Sequence, residues 1–180
     1  MRSNRLQGLW SIARGRAASW LAAGFLAVAV AAPVLARAET NAGIAALQQG
    51  DYGIALKELT PPAKAGDPRA QANLASIYHY GLGVATSFAR ALRWYHAAAI
   101  QGNADGAIGL AILYYNGQGV TKDLSIAHFW LTVALGEMPA GPDRERVSAD
   151  RDALAGGMTP DQIQKSEALL QGWTINHQAP

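Results

Sequence analysis

GDPRAQANLASIYHYGLGV, residues 66–84, stands in register with GNADGAIGLAILYYNGQGV, residues 102–120, at a shift of 36. Extended to Gln101 and Glu137, the alignment needs no gap and holds ten identities: Gly66/Gly102, Leu74/Leu110, Ala75/Ala111, Tyr78/Tyr114, Gly81/Gly117, Gly83/Gly119, Val84/Val120, Ala91/Ala127, Trp94/Trp130 and Ala98/Ala134. Identities gathered at glycine, tryptophan and apolar sites mark a structural repeat. The same shift taken backwards sets Tyr52, Ala55, Leu59, Ala63 and Gly66 under Phe88, Ala91, Tyr95, Ala99 and Gly102, so a divergent unit precedes the two clear ones.

Each unit reads as two helices. Ala70, Leu74, Ile77 and Tyr78 fall at i, i+4, i+7 and i+8, one apolar stripe, and Ala91, Trp94, Tyr95, Ala98 and Ala99 form another. Between them the glycine pairs Gly81/Gly83 and Gly117/Gly119 suit a helix end that turns through positive φ, where a Cβ is penalised. Ser87 and Asp123 hold equivalent N-cap positions before the second helix. The alanines let helices approach, and Tyr78, Trp94, Tyr114 and Trp130 are expected to face the core. One helix pair cannot cover its own apolar face, so it stacks on the next. The expected fold is all-α, a right-handed α/α solenoid of helix-turn-helix repeats.

The repeats set the domain boundaries. Residues 66–101 and 102–137 are the repeats, and 39–65 is a divergent N-terminal capping repeat whose first helix spans Asn41–Gln49. Pro61-Pro62 lack amide donors and predict a kink or break in the next helix. Residues 138–173 read as C-terminal capping helices. The first, Asp143–Ala155, is charged and stopped by Gly156-Gly157. The second opens with a capping box, Thr159 to Gln162 with Pro160 first in the helix, and carries Ile163, Leu170 and Trp173 as its apolar stripe. Residues 174–180 are expected to be a loose tail.

Residues 1–38 read as a signal peptide. Five arginines, Arg2, Arg5, Arg14, Arg16 and Arg37, lie there with no acidic residue. A positive segment over 1–16 leads into an apolar core over 17–35, broken by Pro33. Ala36-Arg37-Ala38 then gives an A-x-A cleavage signature, with cleavage after Ala38. The periplasm or the exterior is the expected address. The alternative is an uncleaved inner-membrane anchor that leaves the same domain facing the periplasm. The chain's net charge of +2 becomes −3 once these residues are removed, with 10 basic against 13 acidic side chains. A weakly acidic remainder excludes a basic nucleic-acid binder. With no cysteine there is no disulfide framework and no thiolate nucleophile or metal ligand.

Motifs for chemistry are sparse. The Gly-x-Gly-Val turns do not lead into Gly-Lys-Ser/Thr, and they recur with the repeat, which gives them a turn role. His79, His96, His128 and His177 lie on different elements without metal-ligand spacing. No serine sits in a Gly-x-Ser-x-Gly elbow. No catalytic residue, metal site or cofactor is expected.

Residues 66–84, followed by Ala91-Leu92-Arg93-Trp94-Tyr95-His96-Ala97-Ala98-Ala99, resemble the Sel-like repeat family, a branch of the tetratricopeptide superfamily. The resemblance covers Asn41–Glu137. Three residues depart from the pattern: Gly106 in place of the alanine seen at Ala70, Leu131 in place of the second aromatic seen at Tyr95, and Ser87 in place of an aspartate. The resemblance implies a non-enzymatic scaffold or adaptor that binds another protein or peptide. Exported bacterial relatives include envelope regulators and host-interaction factors. The alternative is a periplasmic enzyme, such as a cell-wall hydrolase, whose site no motif marks.

In such a solenoid the first helix of each pair lines the concave side. Its second stripe here is Asn73, Ser76 and Tyr80, matched by Gly109, Ile112 and Asn116. Asn73, Ser76, Tyr80, Ile112 and Asn116 are therefore the candidate partner-binding residues, with Tyr80 and Ile112 foremost as an aromatic anchor beside an apolar neighbour. The competing role for this pair is contact with the adjacent helix.

Overall fold

The computed structural model describes residues 38–177, which form eight helices and no strand. Helix α1 covers residues 38–49. It is followed by α2 (Tyr52–Lys64), α3 (Pro68–Tyr80), α4 (Phe88–Ala99), α5 (Ala104–Asn116), α6 (Leu124–Glu137), α7 (Pro142–Gly156) and α8 (Pro160–His177). Helices adjacent in sequence pack together from α2 through α7, α8 docks on α6, and α3 also touches α5. The residues on which the signal-peptide reading rests, 1–37, lie outside the described residues, as do 178–180.

Local chemistry explains the helix ends. Asp67 caps α3, its Oδ1 accepting from the Arg69 and Ala70 amides at 2.8 and 3.1 Å. Its Oδ2 accepts from the buried Thr40 hydroxyl at 2.9 Å, which bolts α1 to α3. Asn103 caps α5 through the Gly106 amide at 2.8 Å, and Asp123 caps α6 through Ser125 and Ile126. Ser87 holds the N-cap position of α4 but makes no capping bond, so only Asp123 of that pair acts as expected. Gly81 and Gly117 close α3 and α5 in the left-handed conformation. Gly83 and Gly119, at φ 68° and 73°, are constrained twice. A Cβ on Gly83 would lie 2.7 Å from Cβ of Tyr52, and one on Gly119 would lie 2.7 Å from Cβ of Phe88. Tyr52 and Phe88 open α2 and α4, so each glycine turn rests on the preceding repeat.

Three boundaries differ from expectation. Helix α2 runs unbroken through Pro61 and Pro62. The prolines fall in its last turn, and the carbonyls they leave unpartnered belong to Lys57 and Glu58, residues that reach solvent. Helix α1 is already formed at residue 38, ahead of Asn41. Helix α8 continues past Trp173 to His177, because no breaker intervenes and the Thr174 hydroxyl donates to the Leu170 carbonyl at 2.9 Å. The Thr159–Gln162 capping box forms as read, with reciprocal bonds of 2.9 and 3.3 Å.

The interior has two clusters. One gathers Ala46, Ala55, Leu59, Ala63, Ala70, Leu74 and Ile77, and the other surrounds Leu110, Leu113, Phe129, Trp130 and Val133. Tyr78 and Trp94 pack against both. The two tryptophans of the repeat are thus unequal. All four face the core as expected, but Trp130 is 6% exposed while Trp94, Tyr78 and Tyr114 pack against the core only half-buried. The difference comes from α8, whose Trp173 covers Trp130 edge-on at 5.4 Å between centroids and meets Phe129 at 5.8 Å. Two polar links hold α8 as well: Lys165 to Asp123 at 2.6 Å, and the buried Ser166 hydroxyl to His128 Nδ1 at 2.9 Å. Burial raises the Asp123 carboxyl, but Lys165 and the Ile126 and Ser125 amides outweigh it and hold the group below its ordinary value.

Trp130→Ala should cost about 3–5 kcal/mol, the range for deleting a buried aromatic, and Trp94→Ala clearly less; urea midpoints at equal slope measure both. His128 supplies a pH test. Burial, aided by Arg151 and opposed by Asp152 and Glu167, lowers its pKa, so the unfolded chain takes up a proton before the folded one does. This contribution to stability is therefore full above the ordinary histidine value of about 6.5 and falls as the pH drops through it towards the depressed folded value. His128→Gln should flatten the fall in urea midpoint between neutral and acidic pH.

Candidate functional site

The second stripe of α3 faces that of α5 across a groove of about 210 Å³, lined by Ala72, Asn73, Ser76, Tyr80, Tyr95, Asp105, Ile108, Gly109 and Ile112. Four of the five candidate residues, Asn73, Ser76, Tyr80 and Ile112, meet here. The fifth, Asn116, lies in the next groove. Asn73 and Ser76 are engaged within α3, donating to the Arg69 and Ala72 carbonyls at 2.8 and 3.2 Å. Tyr80 is 60% exposed and stacks on the buried His79 ring at 4.4 Å. Ile112 is half-buried.

Tyr95 forms the floor. Its ring occupies the place that a Cβ on Gly109 would take, and its hydroxyl meets Ser76 Oγ at 3.0 Å and His79 Nδ1 at 3.4 Å. His79 Nε2 meets Gln118 Oε1 at 3.1 Å. An amide oxygen only accepts, so the histidine donates from Nε2, and the single Tyr95 hydroxyl proton is shared between the accepting Ser76 Oγ and His79 Nδ1. Burial, with smaller contributions from Tyr80 and Asp105 and partial relief from Ser76, pushes the Tyr95 phenol up to about 12. It stays protonated at physiological pH. Asp105 is exposed at the groove's edge.

Sequence reasoning missed Tyr95, Asp105 and Ile108. Tyr95 lies on the apolar stripe of α4 and reads as core, which it also is. Asp105 and Ile108 continue the Gly109, Ile112, Asn116 stripe one turn towards the start of α5, and following that stripe in both directions would have found them.

A second groove, of about 610 Å³, opens between α5, α6 and α7. Ile108, Ala111, Ile112, Leu124, Ala127, Leu131, Val147, Ala153 and Leu154 form its mainly apolar wall, with Tyr115, Asn116, Lys122, Asp150 and Gly157 completing the lining. The Lys122 ammonium lies 4.9 Å from the Tyr115 ring centroid. Ile108 and Ile112 border both grooves and make a ridge between them.

Residues 68–103 and 104–134 match the family model of the Sel1 repeat, helix pair for helix pair. The chain carries two Sel1 repeats. Solved structures agree. A protective antigen present in uropathogenic Escherichia coli strains, displaying an SLR fold, is 26% identical at a TM-score of 0.70, over 79% of this chain and 30% of that one. A Sel1 repeat protein from Oxalobacter formigenes is 32% identical at a TM-score of 0.50, over 53% of this chain and 39% of that one. The chain thus spans well under half the length of either relative. No curated protein matches it. The family match starts two residues after Gly66, at the Asp67-capped helix, so its units are the helix pairs α3–α4 and α5–α6.

Gly109→Ala tests the groove floor. The new methyl overlaps the Tyr95 ring, so the variant should lose about 1–3 kcal/mol, the usual cost of overpacking. Tyr95→Leu in the same chain should restore part of the loss, and a double-mutant cycle in urea measures it.

Proposed function

We propose that this chain is an exported adaptor that captures a partner protein or peptide on the α3–α5 face. Sel1 repeat proteins are protein-interaction scaffolds. The observation that carries the reading here is Tyr80, a large aromatic left 60% exposed beside Ile112 at the mouth of a groove. A few such side chains supply most of the energy of an interface. The polar groups around it favour binding over acid–base chemistry. Of the residues lining the groove, Tyr95 is held protonated and already bonded, and Asp105 is the single carboxylate. A hydrolase working with paired carboxylates needs a second.

The address is part of the proposal. The arginine-led apolar segment and the A-x-A site support export to the periplasm or beyond, with the domain starting at Glu39. The likeness to a protective antigen of uropathogenic Escherichia coli supports an exterior role in the envelope or towards a host. Among the described residues, no helix is long and apolar enough to cross a membrane.

Benzoylphenylalanine placed at position 80 or 112 should give photo-adducts in the native envelope, and the same probe at the exposed Ile54 on α2 should not. Tyr80→Ala and Ile112→Ala should weaken capture about tenfold or more at unchanged helicity and melting temperature. Loss of fold in both variants would make them core residues and overturn the reading. Mass spectrometry of the mature N-terminus should find Glu39 first; an intact N-terminus would mean a tethered adaptor.

A further inference from the structure

Leu59, Tyr95 and Leu131 stand 36 residues apart, at the same station on the second helix of successive pairs. The first two are enclosed, at 0% and 3% exposure. Leu131 is half-buried and faces the α5–α6–α7 groove. The change is not confined to one residue. Ser76 and His79, which hold the Tyr95 hydroxyl, become Ile112 and Tyr115 one repeat later. The Tyr95 ring and hydroxyl give way to the Leu131 side chain and Ser76 to Ile112, so the wall at this second step is mainly apolar, with Tyr115 in the lining at the His79 position. Val147 and Leu154 of α7 face that wall from the other side. A partly hydrated apolar surface of this kind gains free energy when an apolar group covers it. The volume, about 610 Å³, lies within the range of ligand sites.

Charge at the edge narrows the occupant. Asp150 lines the groove, is exposed, and makes no side-chain ion pair among the described residues. The one cation in the lining, Lys122, lies over the Tyr115 ring. A basic group beside the apolar one therefore complements the site.

We propose that this groove takes an aromatic side chain from a partner polypeptide, at the station where the preceding repeat places its own Tyr95, with an adjacent lysine or arginine of the partner facing Asp150. The proposal rests on the adaptor reading above and names the chemistry of the segment captured.

Methyl NMR of the full chain against three blocked peptides tests it: Gly-Ser-Phe-Lys-Ser-Gly, the same peptide with alanine for phenylalanine, and the same peptide with glutamate for lysine. The first should shift the methyl signals of Ile112, Leu131 and Val147 saturably. The alanine peptide should bind about tenfold or more weakly, a difference of about 1.4 kcal/mol. The glutamate peptide should bind measurably more weakly than the lysine one, and Asp150→Asn should remove that difference. Leu131→Tyr places the preceding repeat's own ring in the groove and should abolish the shifts at unchanged helicity. Should that variant unfold, Ala153→Phe fills the same space from α7 and should act alike. Equal binding of the phenylalanine and alanine peptides, shifts elsewhere, or indifference to the filling variants overturns the proposal. If photo-adducts at Tyr80 persist in that case, the groove assignment fails alone; if they are absent too, the adaptor reading falls with it.

Discussion

The close approach of α4 and α5 is the constraint on which the rest of the solenoid depends. A Cβ on Gly106 would lie 2.8 Å from Cβ of Ala98 and 2.9 Å from both the Ala99 nitrogen and the Tyr95 carbonyl oxygen. One turn later, Gly109 admits the Tyr95 ring itself. At these two points backbone meets backbone or ring without a side chain between, so the step from one repeat to the next is set by hard contact rather than by fluid apolar packing. That step brings the α5 stripe up to the α3 stripe. It sets Ile112 across the groove from Ser76 and Tyr80, and leaves Tyr95 buried as a floor. The α3–α5 groove follows from two missing methyl groups.

Much of this was legible in the sequence because the repeat writes each structural role twice. Leu74 and Leu110 are each 1% exposed, and the paired glycines after α3 and α5 all take positive φ. The roles that escaped are those that a single chain writes only once. Gly106 reads as a departure from the alanine at Ala70, yet it is the contact that fixes the inter-repeat step. Trp94 and Trp130 read as equivalent, but a repeat at the end of a stack meets a different neighbour from one in the middle, and only Trp130 has Trp173 over it. Pro61 and Pro62 read as a break because helix-interior proline is costly, whereas here only the Lys57 and Glu58 carbonyls lose their amide donors, Pro62 stands two residues from the helix end, and the helix runs on to Lys64. At the groove, the stripe logic found four of the lining residues but stopped at those with an obvious counterpart, leaving out Tyr95, Asp105 and Ile108.

The second groove has its origin in how α7 is held. Of its side chains only Val147 is buried, and its sequence is crowded with ionisable groups. Arg144 instead anchors it, donating from Nη1 to the carbonyls of Leu135 and Met138 at the end of α6. Covering the α6 tryptophan falls to α8, which carries the Trp173 ring, the Ser166–His128 bond and the Lys165–Asp123 ion pair. An apolar helix in the α7 position would be drawn down onto Ile108, Ile112 and Leu131 to remove them from water. A helix tethered by a polar clamp, with little apolar surface to bury, is not, and the wall remains open.

The two grooves are joined by geometry. They share the ridge of Ile108 and Ile112, so their centres lie on opposite sides of a single helix, and packed helices are about 8–10 Å apart. An extended chain advances about 3.3 Å per residue. In the proposed complex an extended partner crossing the ridge turns only alternate side chains towards this face, so the two that enter the grooves stand about two or four residues apart, one among Ser76, Tyr80 and Asp105 and the other against Leu131 and Val147. The chemical demands on those two side chains differ, because Tyr95 fills its station with a bonded phenol and Leu131 leaves its own station open. Two repeats that share ten of 36 positions thus offer two unlike grooves, and a sequence that suits one of them does not automatically suit the other. On the proposed binding mode specificity arises from that asymmetry, since a partner must present an aromatic ring with its basic neighbour to the Leu131 groove and a polar group to the Tyr80 groove, in one order along the strand.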